Sequence, residues 1–147
     1  MEAPRFCWAA LEDKAQRRIN ELQTAIAQAG QLLETLDASR IRFLTLYHEY
    51  RDQLQSRTEQ LGMQEAMNQR QFMSQLQTLH NRVEADIERT LAHQTALQAS
   101  VREADTERLK MKTLRENAQA LHNKEVARQE QHAMDALGVQ QYNRKAA

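Results

Sequence analysis

From Gln64 to Leu137 the chain contains neither glycine nor proline. A stretch of that length without a breaker leaves no room for the turns of a compact mixed fold. The rest of the chain is almost as uninterrupted. Of its 147 residues, three are glycine and one is proline. Ala, Leu, Glu, Gln, Lys and Arg are strong helix formers and supply most of the chain, glutamine alone occurring 19 times. Val and Ile are sparse, and no stretch alternates apolar with polar residues as a strand does. The fold class is all-α.

The few breakers divide the chain. Pro4 can open a first helical turn. Gly62, in Gln60-Leu61-Gly62-Met63, is the clearest interruption, and Gly138 reads as a helix stop. This predicts one coiled-coil domain over 1–147. It holds a helix over about 7–60, a turn over about 61–64, a second helix over about 65–137 and a tail over 138–147. At 1.5 Å per residue the helices would be roughly 80 and 110 Å long. Helices of that length need the sustained seam of a coiled coil.

Helix 1 carries such a seam. Ile19, Leu22, Ile26, Ala29, Leu33, Leu36, Arg40, Phe43, Tyr47, Tyr50 and Leu54 follow a strict 3-4 alternation, with Arg40 as the polar intruder. Helix 2 begins in the same way with Phe72, Leu76, Leu79 and Val83, then steps by fours through Ile87 and Leu91. That step reads as a stutter, which relaxes the supercoil. The stripe resumes at Leu97, Val101 and Ala104 and weakens through Met111, Leu114, Ala118 and Leu121.

A short link at Gly62 makes the helices antiparallel neighbours, pairing residues whose numbers add to about 124. Tyr50 then faces Phe72, and Arg40 falls opposite Glu84, which would supply a carboxylate. The expected architecture is a long antiparallel two-stranded coiled-coil hairpin. Helix 1 is used up near the partner of position 118, so the stretch from about Gln119 overhangs. It still carries Leu121, Val126, Met134 and Leu137. A helix with an apolar stripe and no neighbour is either frayed or docked on another protein.

Charge excludes several classes. Lys plus Arg equals Asp plus Glu, 20 against 20, which opposes a nucleic-acid arm or a polybasic membrane anchor. No apolar run approaches the roughly 20 residues that span a bilayer. Residues 1–18 lack the apolar centre of a secretory signal. A cytoplasmic protein without direct membrane insertion is expected. The one cysteine, Cys7, cannot form an internal disulfide and reads as a small apolar residue beside Phe6 and Trp8.

None of the five histidines has metal-ligand spacing, and no metal or cofactor is expected. Carboxylates scattered along two helices have no cleft to desolvate a catalytic pair, so no enzymatic activity is expected.

Two groups of residues carry a functional reading beside a bland one. Lys14, Arg17 and Arg18 are by default a solvated helix face; functionally they could meet an acidic rim on a partner. Phe43, Tyr47, Tyr50 and Phe72 fit the seam as core. Tyrosine is nevertheless bulky there and its hydroxyl needs an outlet, so ring edges could face a partner.

At these residues the sequence resembles the flagellar FliJ family, the small stalk proteins of the flagellar type III export apparatus. The resemblance rests on Arg5-Phe6 leading into an Ala- and Glu-rich helix, and on Tyr47-His48-Glu49-Tyr50-Arg51 near the end of helix 1. It rests also on the segment from Gln69 to Leu76, with Phe72 three residues after the glutamine, and on the charged run from Ala127 to Asp135. It spans nearly the whole chain.

The resemblance implies a coiled-coil stalk inserted by its terminal end into a hexameric export ATPase. It implies engagement of the export-gate membrane protein and escort of export chaperones. Residues matching the family's gate-binding surface are Ser39, Phe43, Leu46, Tyr50, Phe72, Leu76, Leu79 and Val83. Leu46 stands where the family has a tyrosine, with Tyr47 beside it. Lys14, Arg17, Arg18, Leu121, Met134 and Leu137 become the expected contacts to the ATPase ring and chaperones. Such a stalk would be peripheral at the inner-membrane export apparatus and a monomer when free. The competing readings are a generic scaffold whose helices pair between chains, and the equivalent stalk of a virulence-type injection system.

Overall fold

A computed structural model describes residues 7–57 and 62–146. Two helices account for them: α1, Cys7–Ser56, and α2, Met63–Ala146. The described residues contain no strand, and α1 and α2 pack against each other as an antiparallel coiled-coil hairpin. Pro4, the Arg5-Phe6 start and Leu61 of the expected turn lie outside the described residues.

The turn is entered early. The amide of Arg57 donates to the Gln53 carbonyl at 3.0 Å and the Ser56 hydroxyl to the same oxygen at 3.3 Å, capping the last turn of α1. Gly62 precedes α2, its carbonyl accepting from the Ala66 amide at 3.0 Å. Glu65 sits in the first turn, where a carboxylate complements the helix dipole. At the far end α2 does not stop before Gly138 but runs through it to Ala146. Gly138 does not take the positive φ of a helix-terminating glycine. Arg144 and Lys145 in the last turn complement the dipole instead.

The chain forms two compact units, one spanning Glu21–Val101 and the other combining Met1–Asn20 with Arg102–Ala147. In the first, every seam position named from α1 between Leu22 and Leu54 is buried or half-buried. Along α2 the covered positions include Ala66, Gln69, Met73, Leu76, His80, Val83, Ile87, Thr90, Gln94, Leu97 and Val101, with Asp86, Ala99 and Ser100 half-buried beside them. The series from Ala66 to Val101 keeps an unbroken 3-4 spacing, so the expected stutter is absent. Thr90, not Leu91, takes the seam position. Its hydroxyl donates to the Asp86 carbonyl at 2.7 Å, which lets the residue face the partner helix with its polar atom satisfied. Leu91 is left 48% exposed.

Two further expectations are corrected. Phe72 and Leu79 are not seam residues; Met73 and His80 are, and Phe72 and Leu79 form the rim one residue before them. Arg40 does not pair with Glu84. Its guanidinium donates to Asp37 on its own helix at 2.7 Å, while the nearest partner of Glu84 is His80. An i,i+3 carboxylate needs less side-chain ordering than one across the seam. The expected register does hold: a Cβ built on Gly30 would lie 3.9 Å from the Gln94 amide nitrogen.

In the second unit α1 contributes Trp8, Glu12, Ala15 and Ile19, and α2 contributes Ala104, Arg108, Met111, Arg115, Ala118, His122 and Glu125 at the same spacing. No described side chain in either unit is fully buried. A two-helix seam has only one layer of side chains between solvent on both faces.

Candidate partner-binding surfaces

In the Glu21–Val101 unit each helix shows a seam and two flanks. Residues one before a seam position on either helix share one face of the hairpin, because antiparallel neighbours are related by a two-fold axis through that face. Ala25, Gln28 and Leu32 of α1 accordingly line one groove with Arg89 and His93 of α2. Residues one after a seam position share the opposite face. Leu44 and His48 of α1 line a groove of about 240 Å³ with Gln77 and Asn81 of α2.

This geometry sorts the residues nominated for gate binding. Phe43, Tyr47, Tyr50, Leu76 and Val83 are seam residues, with Leu76 only 3% exposed. Ser39, Leu46, Phe72 and Leu79 lie on the first face. Phe72 and Leu79 are each 38% exposed. Ser39 lines a shallow surface groove with Thr35, Ala38 and Arg42. The Phe72 ring stands edge-on to Tyr50, centroids 4.9 Å apart at 69°. Seam and rim are thus joined here: Tyr50 packs against Phe72, which is itself partly exposed. The opposite face is floored by Phe43, Tyr47 and Leu76, with Tyr47 edge-on to His48 at 5.7 Å.

Two polar atoms stand out in this region. Gln69 Oε1 and His80 Nε2 are enclosed and make no hydrogen bond. His80 Nε2 is 3.4 Å from a Glu84 carboxylate oxygen, long for a hydrogen bond. Both sit at seam positions, which is why sequence reasoning passed over them in favour of their apolar neighbours.

The terminal unit holds the second nominated group. Lys14, Arg17 and Arg18 are exposed on α1. Lys14 and Arg18 line a groove of about 300 Å³ with Leu11, Ala104, Glu107 and Met111, so two cations and one carboxylate frame an apolar floor. Leu121 is exposed beside Asn117, Ala120 and Lys124. Met134 and Leu137 are 67% and 58% exposed, and from Ala127 to Ala146 every side chain is exposed.

Sequence reasoning missed the cross-helix ion pair of this unit. Arg115 Nε donates to Glu12 Oε2 at 2.7 Å, joining two seam positions. That hydrogen bond, then the charge of Glu12, raises the guanidinium above its ordinary value. The available signal was register: Glu12 lies three residues before Ala15 in the 3-4 series. On the tail, Arg128 hydrogen-bonds Glu125 at 2.7 Å and holds its carboxyl below the ordinary 4.5.

Nothing in these surfaces encloses a substrate, and no three His, Cys, Asp or Glu side chains among the described residues come together as a metal site. No described helix is long and apolar enough to cross a membrane. What the arrangement offers is association through a half-exposed aromatic and aliphatic rim and through a bare helix. A family model described as "Flagellar FliJ protein" matches residues 9–147. No curated protein and no solved structure matches the chain.

Proposed function

Because the chain belongs to the flagellar FliJ family, we propose that it is the stalk and adaptor of the type III export apparatus, acting by association and without catalysis. Its role is flagellar and export-related. In this reading the terminal unit inserts into the hexameric export ATPase. Lys14, Arg17 and Arg18 meet acidic groups there, and the tail with Leu121, Met134 and Leu137 packs on the ring or on an export chaperone. The rim of Ser39, Leu46, Phe72 and Leu79, braced by Phe43, Tyr47, Tyr50, Leu76 and Val83, engages the export-gate membrane protein. The chain then works at the cytoplasmic side of the inner membrane, held there by the gate.

The observation that carries this reading is the tail. An amphipathic helix without a neighbour gains most by laying its apolar side into a partner's groove. Residues 127–146 are helical and bare, and Met134 and Leu137 are adjacent on one side. The test is capture of the soluble export ATPase by the full chain and by a chain ending at Val126. We expect the shortened chain to keep the helical signal of the hairpin and to lose the ATPase. Capture undiminished by the truncation would overturn the tail's role.

A further inference from the structure

The tail carries a stripe that is not the continuation of the hairpin seam. Continued past Glu125, the seam spacing passes through Gln129 and His132, both polar and exposed, before it meets Ala136 and Val139. Met134 and Leu137 lie at another azimuth. There Ala127, Glu130, Met134, Leu137, Gln141 and Arg144 form a 3-4 series of their own. Its centre is apolar, its beginning holds a carboxylate and its end a guanidinium. Neither Glu130 nor Arg144 has an ion-pair partner among the described residues.

From this charge order we propose that a second copy of the chain docks on the tail, antiparallel, with Met134 of each copy against Leu137 of the other. A parallel pair would set Glu130 beside Glu130 and Arg144 beside Arg144, like charges at seam positions. The antiparallel pair brings each Glu130 within a turn of Arg144 of the other copy, twice by symmetry, on either side of the apolar centre. The contact is self-complementary and closes at two copies. Lys124 and Lys145 approach each other at its ends, which confines the pairing to the stretch between them.

With two large apolar side chains per copy, the association is weak and reversible, and the dilute chain is a monomer. It covers the face of the tail that another protein would use, so any such partner competes with it. The pairing itself requires nothing of the export reading.

Sedimentation equilibrium of the full chain over a concentration series, to about 1 mM, tests it. The average mass should rise from 17.1 kDa towards twice that value, less steeply in high salt. Arg144→Glu should weaken association about tenfold, and the double variant Glu130→Arg with Arg144→Glu should recover it. Lys124→Glu, which turns the terminal repulsion into attraction, should tighten it. All these positions are exposed, and helical circular dichroism verifies that each variant is folded. A monomer mass throughout the series overturns the proposal. So does self-association that is indifferent to Arg144→Glu and to Leu137→Asp, or a double variant that stays as weak as the single one.

Discussion

Arg115 and Glu12 show what a charged pair does at a seam position. Both groups sit partly under the neighbouring helix, yet each keeps solvent contact, so the pair avoids the full cost of burying charge. Its value is directional: only one register brings the guanidinium to that carboxylate. Reversing one charge should lower the melting temperature of the terminal unit, and reversing both, Glu12→Arg with Arg115→Glu, should restore most of the loss. If the doubly reversed chain melts no higher than the single variants, the two groups are not coupled.

Glu125 gives a second check at this scale. The hydrogen bond from Arg128 favours its charged form, so the helical tail binds fewer protons at this site than the unfolded chain does. The contribution is therefore complete above the ordinary value of 4.5 and disappears as pH falls through the lowered one. In Arg128→Gln the carboxyl carbon of Glu125, followed by NMR, should titrate at higher pH than in the parent. An unmoved midpoint would mean that the ion pair is not formed in solution.

Within an element, position relative to the seam outweighs residue type. Leu76 and Leu79 are the same residue one turn apart on α2, but one is enclosed and the other is a rim residue. Leu76→Ala should cost about 2–3 kcal/mol in denaturant unfolding, and Leu79→Ala less than about 1 kcal/mol. Equal losses would show that the seam runs through Leu79 after all. Gly138 follows the same logic. It lies inside α2, and a Cβ there would meet nothing within 4 Å. Gly138→Ala should raise helical content and slow amide exchange around it by the equivalent of about 0.5–1 kcal/mol. A fall in helicity would place a helix end at this residue.

The same contrast explains what could be read in advance. The seam of α1 was legible because it is written in apolar residues, Ile19 to Leu54, with one exception. That of α2 was legible only at Leu76, Val83, Ile87, Leu97, Val101, Ala104, Met111 and Ala118. Among these stand the polar residues Gln69, His80, Thr90, Gln94, Arg108 and Arg115, whose apolar stems fill the layer. Thr90 satisfies its hydroxyl on a backbone oxygen, Arg108 and Arg115 reach carboxylates, and Gln69 Oε1 and His80 Nε2 stay enclosed without a hydrogen bond. A pattern search follows the nearest leucine instead, which is how Leu91 produced a stutter that is not there and Phe72 and Leu79 entered the core. The antiparallel register survived these errors because it was read from the single breaker Gly62 and not from the stripe of α2. The nominated gate residues all fall in the Glu21–Val101 unit. Their division into seam and rim required burial, which the 3-4 series of α2 did not supply.

For the molecule as a whole, the adaptor reading demands more than two working surfaces; it demands both on one chain. The rim residues belong to the Glu21–Val101 unit and the tail to the other. A chain with Phe72→Asp and Leu79→Asp should remain folded, since both positions are half exposed, but should lose the gate. A chain ending at Val126 should lose the ATPase. If each molecule bridges the two partners, co-producing the two defective chains in a cell lacking the parent cannot rebuild a bridge, and motility should stay at the level of either defect alone. The full chain, supplied at the same level, should restore it. Recovery of motility by the mixture would mean that the two surfaces serve separate molecules in separate steps. The tail could then load the ATPase while another copy's rim meets the gate, and the mechanical coupling through a single stalk would have to be given up.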